Sequence, residues 1–563
     1  MLGGQFSARA SAAMRRKPWC LEAGGFVMGA SRSRSHAMHP LSFAFFPALA
    51  AMLAPPVLAQ EDALRAKLGV VWEELAEESF QRQIGKLLST KPGFAELYSA
   101  LRAGPCYSKD VPRGWVEGVM RCEDGKERPY LVYVPKDYNP AQSYLLLMHL
   151  HGGVSRPQAL THEQLRQTRF YWGKQAEQHG FFHLIPSGQG GAEWWSRVGS
   201  HNVLAQIDRL RCSYKIDPNR VFSTGFSDGA SGSFYLALTH PTRFAGFVPL
   251  NGHVAVARAG GLQVHLQGLV NKPLYVINTD KDSLYPAKSV SPFIAAMKGL
   301  GVDIDYTMVE GFGHEPSYLP KERPLIWSWI RKQKRQPHPE RILWQGSGDA
   351  PARVHWLEVL GVDAGLKGAK FADPNPMMKP SRVRLGVQLD RAFAGPGCRL
   401  SLVTDASPAK AAGLKKGDVL LAMNGVEIKS MQTLRALLGR VNFGSTFTLR
   451  VARGEKILAL KGEFPAVAAK PAFPRNKPFG SIEAKRQGNR VALRSSGISR
   501  VALLLSPEVF DFEKPLKLTV NGRDLREVKL QRDPRFLLEQ AHRDQDPSML
   551  YAARLELDLR GDK

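Results

Sequence analysis

Between residues 61 and 103 the apolar positions Leu64, Leu68, Val71 and Leu75, then Phe80, Ile84, Leu87 and Leu88, recur at helical spacing with charges between them. This predicts a helical lead-in. From Arg128 the period changes: Tyr130–Val134 and Tyr144–Met148 are short continuous apolar runs bounded by Pro, Asn or Gly, as in buried strands. Further runs at 181–185, 221–222, 244–250 and 274–277 alternate with helix-length segments. That alternation predicts the α/β class, a mostly parallel sheet with helices on both faces.

The pattern breaks at Arg331-Lys332-Gln333-Lys334-Arg335-Gln336-Pro337-His338-Pro339, so the lead-in is expected over 60–124 and the α/β unit over 125–335. Residues 336–382, with strand-like Val354–Leu357 and a Pro-rich loop, read as a connecting segment. A compact unit at 383–464 is followed by a basic Pro/Ala linker at 465–479. Residues 480–563 read as a small β-rich domain, with runs at Val501–Leu505 and Leu516–Val520 and a hairpin turn at Asn521-Gly522.

Ahead of all this, Arg15, Arg16, Lys17, Arg32 and Arg34 precede the charge-free apolar run Leu41–Leu58. Val57-Leu58-Ala59 then stands before an abrupt polar shift at Gln60-Glu61-Asp62. This is the layout of an export signal over 1–59 cleaved after Ala59, with Met38 as a second candidate start, and it implies a periplasmic or extracellular destination. Pro55 and Pro56 argue against a retained anchor, so no stable membrane span is expected after cleavage. Cleavage removes Cys20 and leaves Cys106, Cys122, Cys212 and Cys398, an even set of which Cys106 and Cys122 are the expected disulfide pair. No CxxC pair or Cys/His cluster occurs, so neither a metal nor another cofactor is expected.

Composition is that of an ordinary globular chain, 44% hydrophobic and 23% charged, but 77 basic against 51 acidic residues leave a formal charge of +26. Such a field favours anionic surfaces and polymers as loose partners. The cations are scattered and no helix-turn-helix, zinc-finger or RNA-binding signature accompanies them, so nucleic acid is not expected as a partner.

Candidate chemistry centres on Val221-Phe222-Ser223-Thr224-Gly225-Phe226-Ser227-Asp228-Gly229-Ala230, a strand-like run entering GxSxG and leaving into a helix-compatible segment. This is the context of a nucleophile elbow, with Ser227 on the tight turn. A serine hydroxyl needs a base, and the base needs a group that fixes its tautomer. Downstream, Thr279-Asp280-Lys281-Asp282 follows a strand and Gly311-Phe312-Gly313-His314 forms a glycine-rich loop, giving the order Ser, acid, His. Upstream, His151-Gly152-Gly153 follows another strand and offers backbone amides for an oxyanion, with the amide of Asp228 as the second donor. Trp194 and Trp195 are a candidate wall of the substrate cleft.

These residues resemble the polyhydroxybutyrate-depolymerase and feruloyl-esterase branch of the α/β-hydrolases, near the prolyl-oligopeptidase-like hydrolases. The resemblance rests on Gly125-Lys126-Glu127-Arg128-Pro129-Tyr130, His151-Gly152-Gly153, Ile216-Asp217-Pro218-Asn219-Arg220-Val221 before the elbow, and Gly313-His314. It implies Ser227 as nucleophile, His314 as base and Asp282, ahead of Tyr285-Pro286, as acid in preference to Asp280. Asn278-Thr279-Asp280 departs from the family's usual His-Gly-Thr, and Ala230 stands where a second Gly is common.

Residues 383–464 resemble a PDZ domain of bacterial envelope proteases, through Leu385-Gly386-Val387, Ser407-Pro408-Ala409-Lys410-Ala411-Ala412-Gly413-Leu414-Lys415-Lys416-Gly417-Asp418-Val419-Leu420 and Asn424-Gly425-Val426. The resemblance implies that peptide C-termini add as a strand beside Leu385, Gly386 and Val387. A chymotrypsin-type protease is excluded, because its serine follows both partners in sequence and Ser227 precedes them. The expected function is ester hydrolysis through an acyl-enzyme; a serine peptidase is the second reading and a non-catalytic PDZ adaptor the third.

Overall fold

The computed structural model describes residues 63–73, 77–348, 352–379, 383–390 and 392–560. The expected export signal lies outside them. At the centre is an eight-stranded sheet, β1 (Gly114–Arg121), β2 (Glu127–Val134), β3 (Tyr144–Leu150), β4 (Phe182–Pro186), β5 (Ile216–Phe226), β6 (Gly246–Leu250), β7 (Leu274–Thr279) and β8 (Ile304–Val309), in the order 1-2-4-3-5-6-7-8. β2 pairs antiparallel with both β1 and β4, and every pairing from β4 to β8 is parallel. β3, β4, β6 and β7 are buried at every position, which is why they appear as unbroken apolar runs.

Helices α1 (Arg197–Ser213), α2 (Asp228–Thr239), α3 (Ala287–Gly299) and α4 (Leu319–Lys332) accompany the sheet. Two apolar layers enclose the strands: one gathers Leu146, Met148, Phe234 and Phe293, the other Leu147, Phe222, Trp172 and Trp329. The fold is an α/β-hydrolase sheet. Its first strand lies earlier than the expected boundary at 125, because β1 is a half-exposed edge whose pattern carries no buried run. The lead-in does hold helices, at Glu77–Ser89 and Phe94–Arg102. They bury Phe80, Ile84, Leu97 and Leu101 against Leu537, Leu538 and Ala541 of a distant helix, Pro534–Asp544.

The C-terminal part departs further from expectation. The supposed connecting segment supplies strands Arg341–Ser347 and Leu357–Val362, which pair with Phe479–Gln487 and Ile498–Leu505. A five-stranded and a four-stranded sheet therefore close over Trp344, Trp356, Leu503 and Leu518, with the module at 383–464 inserted between two halves of one β-rich unit. Pairing partners so distant in sequence leave no local signal. The supposed linker is also structured: Lys470–Pro471 pairs with Met377–Met378, and Phe473 is buried in the hydrolase core. The hairpin at Asn521-Gly522 is present, with both residues at positive φ (49° and 83°).

No disulfide joins the four described cysteines; Cys122 is buried with its thiol donating to Asn202 Oδ1, whereas Cys106 is exposed. The expected pair is thus corrected, closeness in sequence having said nothing about where the thiols point. Among the described residues, no helix is long and apolar enough to cross a membrane.

On β3 and β4, His149 and His183 are fully buried, and neither ring nitrogen of either residue has a hydrogen-bond partner among the described residues. Burial pushes His183 down to about 3 and His149 well below its ordinary value. The unfolded chain takes up these protons near pH 6.5 and the native one only in stronger acid, so stability falls as pH drops through that window. Urea unfolding between pH 7 and pH 4.5 should show a loss approaching about 1.4 kcal/mol per pH unit for each such histidine. The slope should become shallower in a folded His183→Gln variant.

Candidate active site

β5 runs into Ser227, and α2 leaves from it. The turn between them puts Ser227 at φ 59° and ψ −120°, with its amide bonded to the carbonyl of Leu250 at 3.0 Å. A turn this tight draws α2 onto β3: a Cβ on Gly229 would lie 1.8 Å from the carbonyl oxygen of Leu150, so only glycine fits. On the other side, Gly152 approaches the serine so closely that a Cβ there would sit 3.0 Å from Ser227 Cβ.

The loops after β7 and β8 bring in the partners. His314 Nε2 stands 2.8 Å from Ser227 Oγ, and His314 Nδ1 stands 2.8 Å from Asp282 Oδ2. The Asp282 side chain is fully buried and that of His314 is 17% exposed. Burial works against a charged Asp282. Hydrogen bonds from His314, Asn251 and the amides of Tyr285 and Leu284 outweigh it and hold the carboxyl down at about 2. The imidazole is flanked by the rings of Phe226 and Tyr285, at 5.0 and 5.7 Å between centroids.

Asp280 has a different place. Its Oδ1 accepts from the amide of Gly311 at 2.8 Å, tying the start of the loop that carries His314. Asn251 and Tyr318, which the sequence pattern did not single out, complete the support. Tyr318 donates to Asn251 Oδ1 at 2.6 Å, and Asn251 Nδ2 reaches both Asp282 and Thr279 Oγ1. Thr279 in turn donates to the carbonyl of Gly313, next to the histidine. The sequence cue was slight: Asn251-Gly252 at the end of a buried strand, with Asn251 at φ 52°.

The amides of Gly153 and Asp228 have no partner among the described residues, and the Asp228 carboxylate accepts from Val154, closing the loop against α2. His151 is buried, its Nε2 accepting from Gly188. The aromatic pair is corrected. Trp194 is 1% exposed and donates its indole N–H to the carbonyl of His151, and Trp195 is buried in the same core layer, so both pack the scaffold beneath the loop and do not line a cleft.

In the inserted module Val387–Leu389 is the edge strand of its sheet, paired on one side with Cys398–Val403. Leu385 is buried in that module's core, and the carbonyls of Leu385 and Gly386 accept from Ala409 and Thr404. Residues 383–461 match the family described as PDZ domain. These residues are a PDZ domain. Among curated relatives, the chain is 29% identical over 133 residues to the bifunctional acetylxylan esterase/xylanase XynS20E of Neocallimastix patriciarum, covering 23% of this chain and 19% of that protein. It is 29% identical over 153 residues to the periplasmic serine endoprotease DegP of Escherichia coli (strain K12), covering 23% of this chain and 32% of that one. The chain thus spans a third or less of either relative's length. A solved thermostable esterase aligns over 39% of this chain and 63% of its own, at 24% identity and a TM-score of 0.35.

Trp194→Ala should cost about 3–5 kcal/mol of stability, as a truncated core tryptophan does. Denaturant unfolding checks this, and a loss below about 1 kcal/mol would return the ring to the cleft.

Proposed function

We propose that the protein is an exported serine hydrolase that cleaves carboxylic esters through an acyl-enzyme. The observation that carries the proposal is the continuous line from Ser227 Oγ through His314 to the buried carboxylate of Asp282, at 2.8 Å for each link. In that arrangement Ser227 attacks the ester carbonyl and its proton passes to His314 Nε2. Asp282 accepts a hydrogen bond from the Nδ1–H, which keeps Nε2 an acceptor and stabilises the imidazolium that forms. The tetrahedral oxyanion lies against the amides of Gly153 and Asp228, the second at the N-terminus of α2, where backbone dipoles favour negative charge. Collapse expels the alcohol, protonated by His314, and leaves the acyl group on Ser227 Oγ. Water activated by the same imidazole then releases the acid.

Esters are preferred over peptides because an alkoxide leaving group demands less of the general acid than an amine, and one relative is named an acetylxylan esterase. Export rests on the apolar run at Leu41–Leu58, with a periplasmic protein among the relatives. The PDZ edge at Val387–Leu389 is the place for an added peptide strand, its C-terminus near Leu385 and Gly386.

A fluorophosphonate probe should label the wild-type protein and not Ser227→Ala; absence of labelling in folded wild type overturns the reading. Asp282→Asn should lower kcat for p-nitrophenyl esters about 10³–10⁴-fold. Asp280→Asn should leave kcat within about threefold, since an amide oxygen still accepts the Gly311 bond.

A further inference from the structure

A cleft of about 730 Å³ opens beside Tyr285, yet neither Ser227 nor His314 lines it. The nucleophile is approached instead by the loop after β3, where a Cβ on Gly152 would lie 3.0 Å from Ser227 Cβ and 3.6 Å from its Oγ. The next peptide, between Gly152 and Gly153, supplies the candidate oxyanion amide. Glycine on both sides removes the Cβ contacts that would hold a peptide plane in one orientation, and Gly153 sits at φ 66°. The peptide is trans, so its C=O and N–H point in opposite directions. Turning this plane over would set a carbonyl where the amide belongs, and a carbonyl repels an oxyanion.

Arg156 bears on this peptide directly. Its Nη2 donates to the carbonyl of Gly152 at 3.1 Å and its Nε to the carbonyl of Gly153 at 2.7 Å. His151 is the second donor to Gly152, through Nδ1 at 2.8 Å. Burial, with the charge of Arg156 added, pushes His151 down to about 4, so its ring is neutral; Nε2 accepts from Gly188, which leaves the proton on Nδ1. The backbone of Arg156 is fixed as well, its carbonyl accepting from the amide of Gly190 at 2.7 Å. The following peptide is held at its other end, where Val154 donates to the Asp228 carboxylate at 2.9 Å. Among the described residues no carboxylate pairs with the Arg156 guanidinium, so its charge bears undiminished on the two carbonyls. A cation on the carbonyl side of a peptide polarises it and strengthens the N–H on the other side as a donor.

We infer that Arg156 is a positioning residue of the oxyanion site: through the carbonyl of Gly152 it keeps the Gly153 amide turned toward the charge that develops on the substrate. It acts through the peptide and not on the substrate itself. The inference rests on the serine hydrolase reading above.

The test is the Arg156→Ala protein on p-nitrophenyl acetate. It should lose about 10–100-fold in kcat, less than the removal of an oxyanion donor costs, because His151 still holds the carbonyl. KM should stay within about twofold, since the interaction is made only in the transition state. Affinity for phenylboronic acid, which forms a tetrahedral adduct on the serine, should fall by the same factor as kcat. Where Arg156→Ala does not fold, Arg156→Gln, which keeps one amide donor and loses the charge, carries the same comparison with a loss of about tenfold. Turnover within about twofold of wild type, a change confined to KM, or boronate affinity unchanged while kcat falls overturns the inference. Fluorophosphonate labelling separates the two readings: wild type that labels, with any of those outcomes in the variants, defeats only this inference, whereas unlabelled wild type defeats the hydrolase reading itself.

Discussion

The backbone of Ser227 is held where L-residues seldom go, at φ 59° and ψ −120°, a conformation that costs about 1–3 kcal/mol and persists only when its surroundings leave no alternative. Those surroundings are the ends of β3, β5 and β6. Leu250 takes the serine's amide, Gly229 lets α2 lie on the carbonyl of Leu150, and Gly152 brings the next loop against the side chain. Parallel strands whose C-terminal ends converge are what make so tight a turn sustainable, and the same ends present the loops that carry Asp282 and His314.

A second constraint acts on charge. A carboxylate fully withdrawn from water is unfavourable unless its oxygens are occupied, and Asp282 has four donors. Asn251 is the pivot of that arrangement, since one side chain joins the acid, the hydroxyl of Thr279 and the phenol of Tyr318. Thr279 passes the order on to the backbone beside His314. The two acids that the sequence left open therefore divide the work: Asp282 faces the imidazole, and Asp280 holds the loop that carries it.

How far the chain could be read in advance follows from where each signal resides. Buried strands such as Tyr144–Leu150 and Leu274–Thr279 announce themselves because both faces need apolar residues. The elbow, the histidine loop and the PDZ repeat of glycines are legible because local backbone geometry demands particular residues. Asn251 and Tyr318 are not, since a buried polar side chain is defined by partners far along the chain. The same holds for the β-rich unit split by the PDZ insertion, whose halves meet only through pairings such as Ile482 with Trp344. Its attachment to the hydrolase is equally non-local: buried Asp546 lies 2.7 Å from Arg335 and 3.4 Å from Arg211. Trp194 misled because an aromatic pair beside a glycine-rich loop looks the same whether it faces a ligand or fills the space under the loop.

The insertion gives the PDZ domain a bearing on the cleft that a tethered module would lack. A domain joined by one flexible linker leaves its neighbour's surface unchanged. Here the chain enters through Asp373 and Asn375 and returns through Phe473 and Arg475, and these four residues bond or pair across the two stems. The return stem then supplies Pro474, Asn476 and Lys477 to the cleft beside Tyr285. The wall of the cleft is therefore built from residues whose spacing depends on the insertion being folded and closed at its base. A switch would need a second packing of the stems, and Phe473 in the hydrolase core, with the Asp373–Arg475 pair beside it, favours one fixed arrangement. What the insertion contributes to that wall is position, imposed by two stems that hold each other.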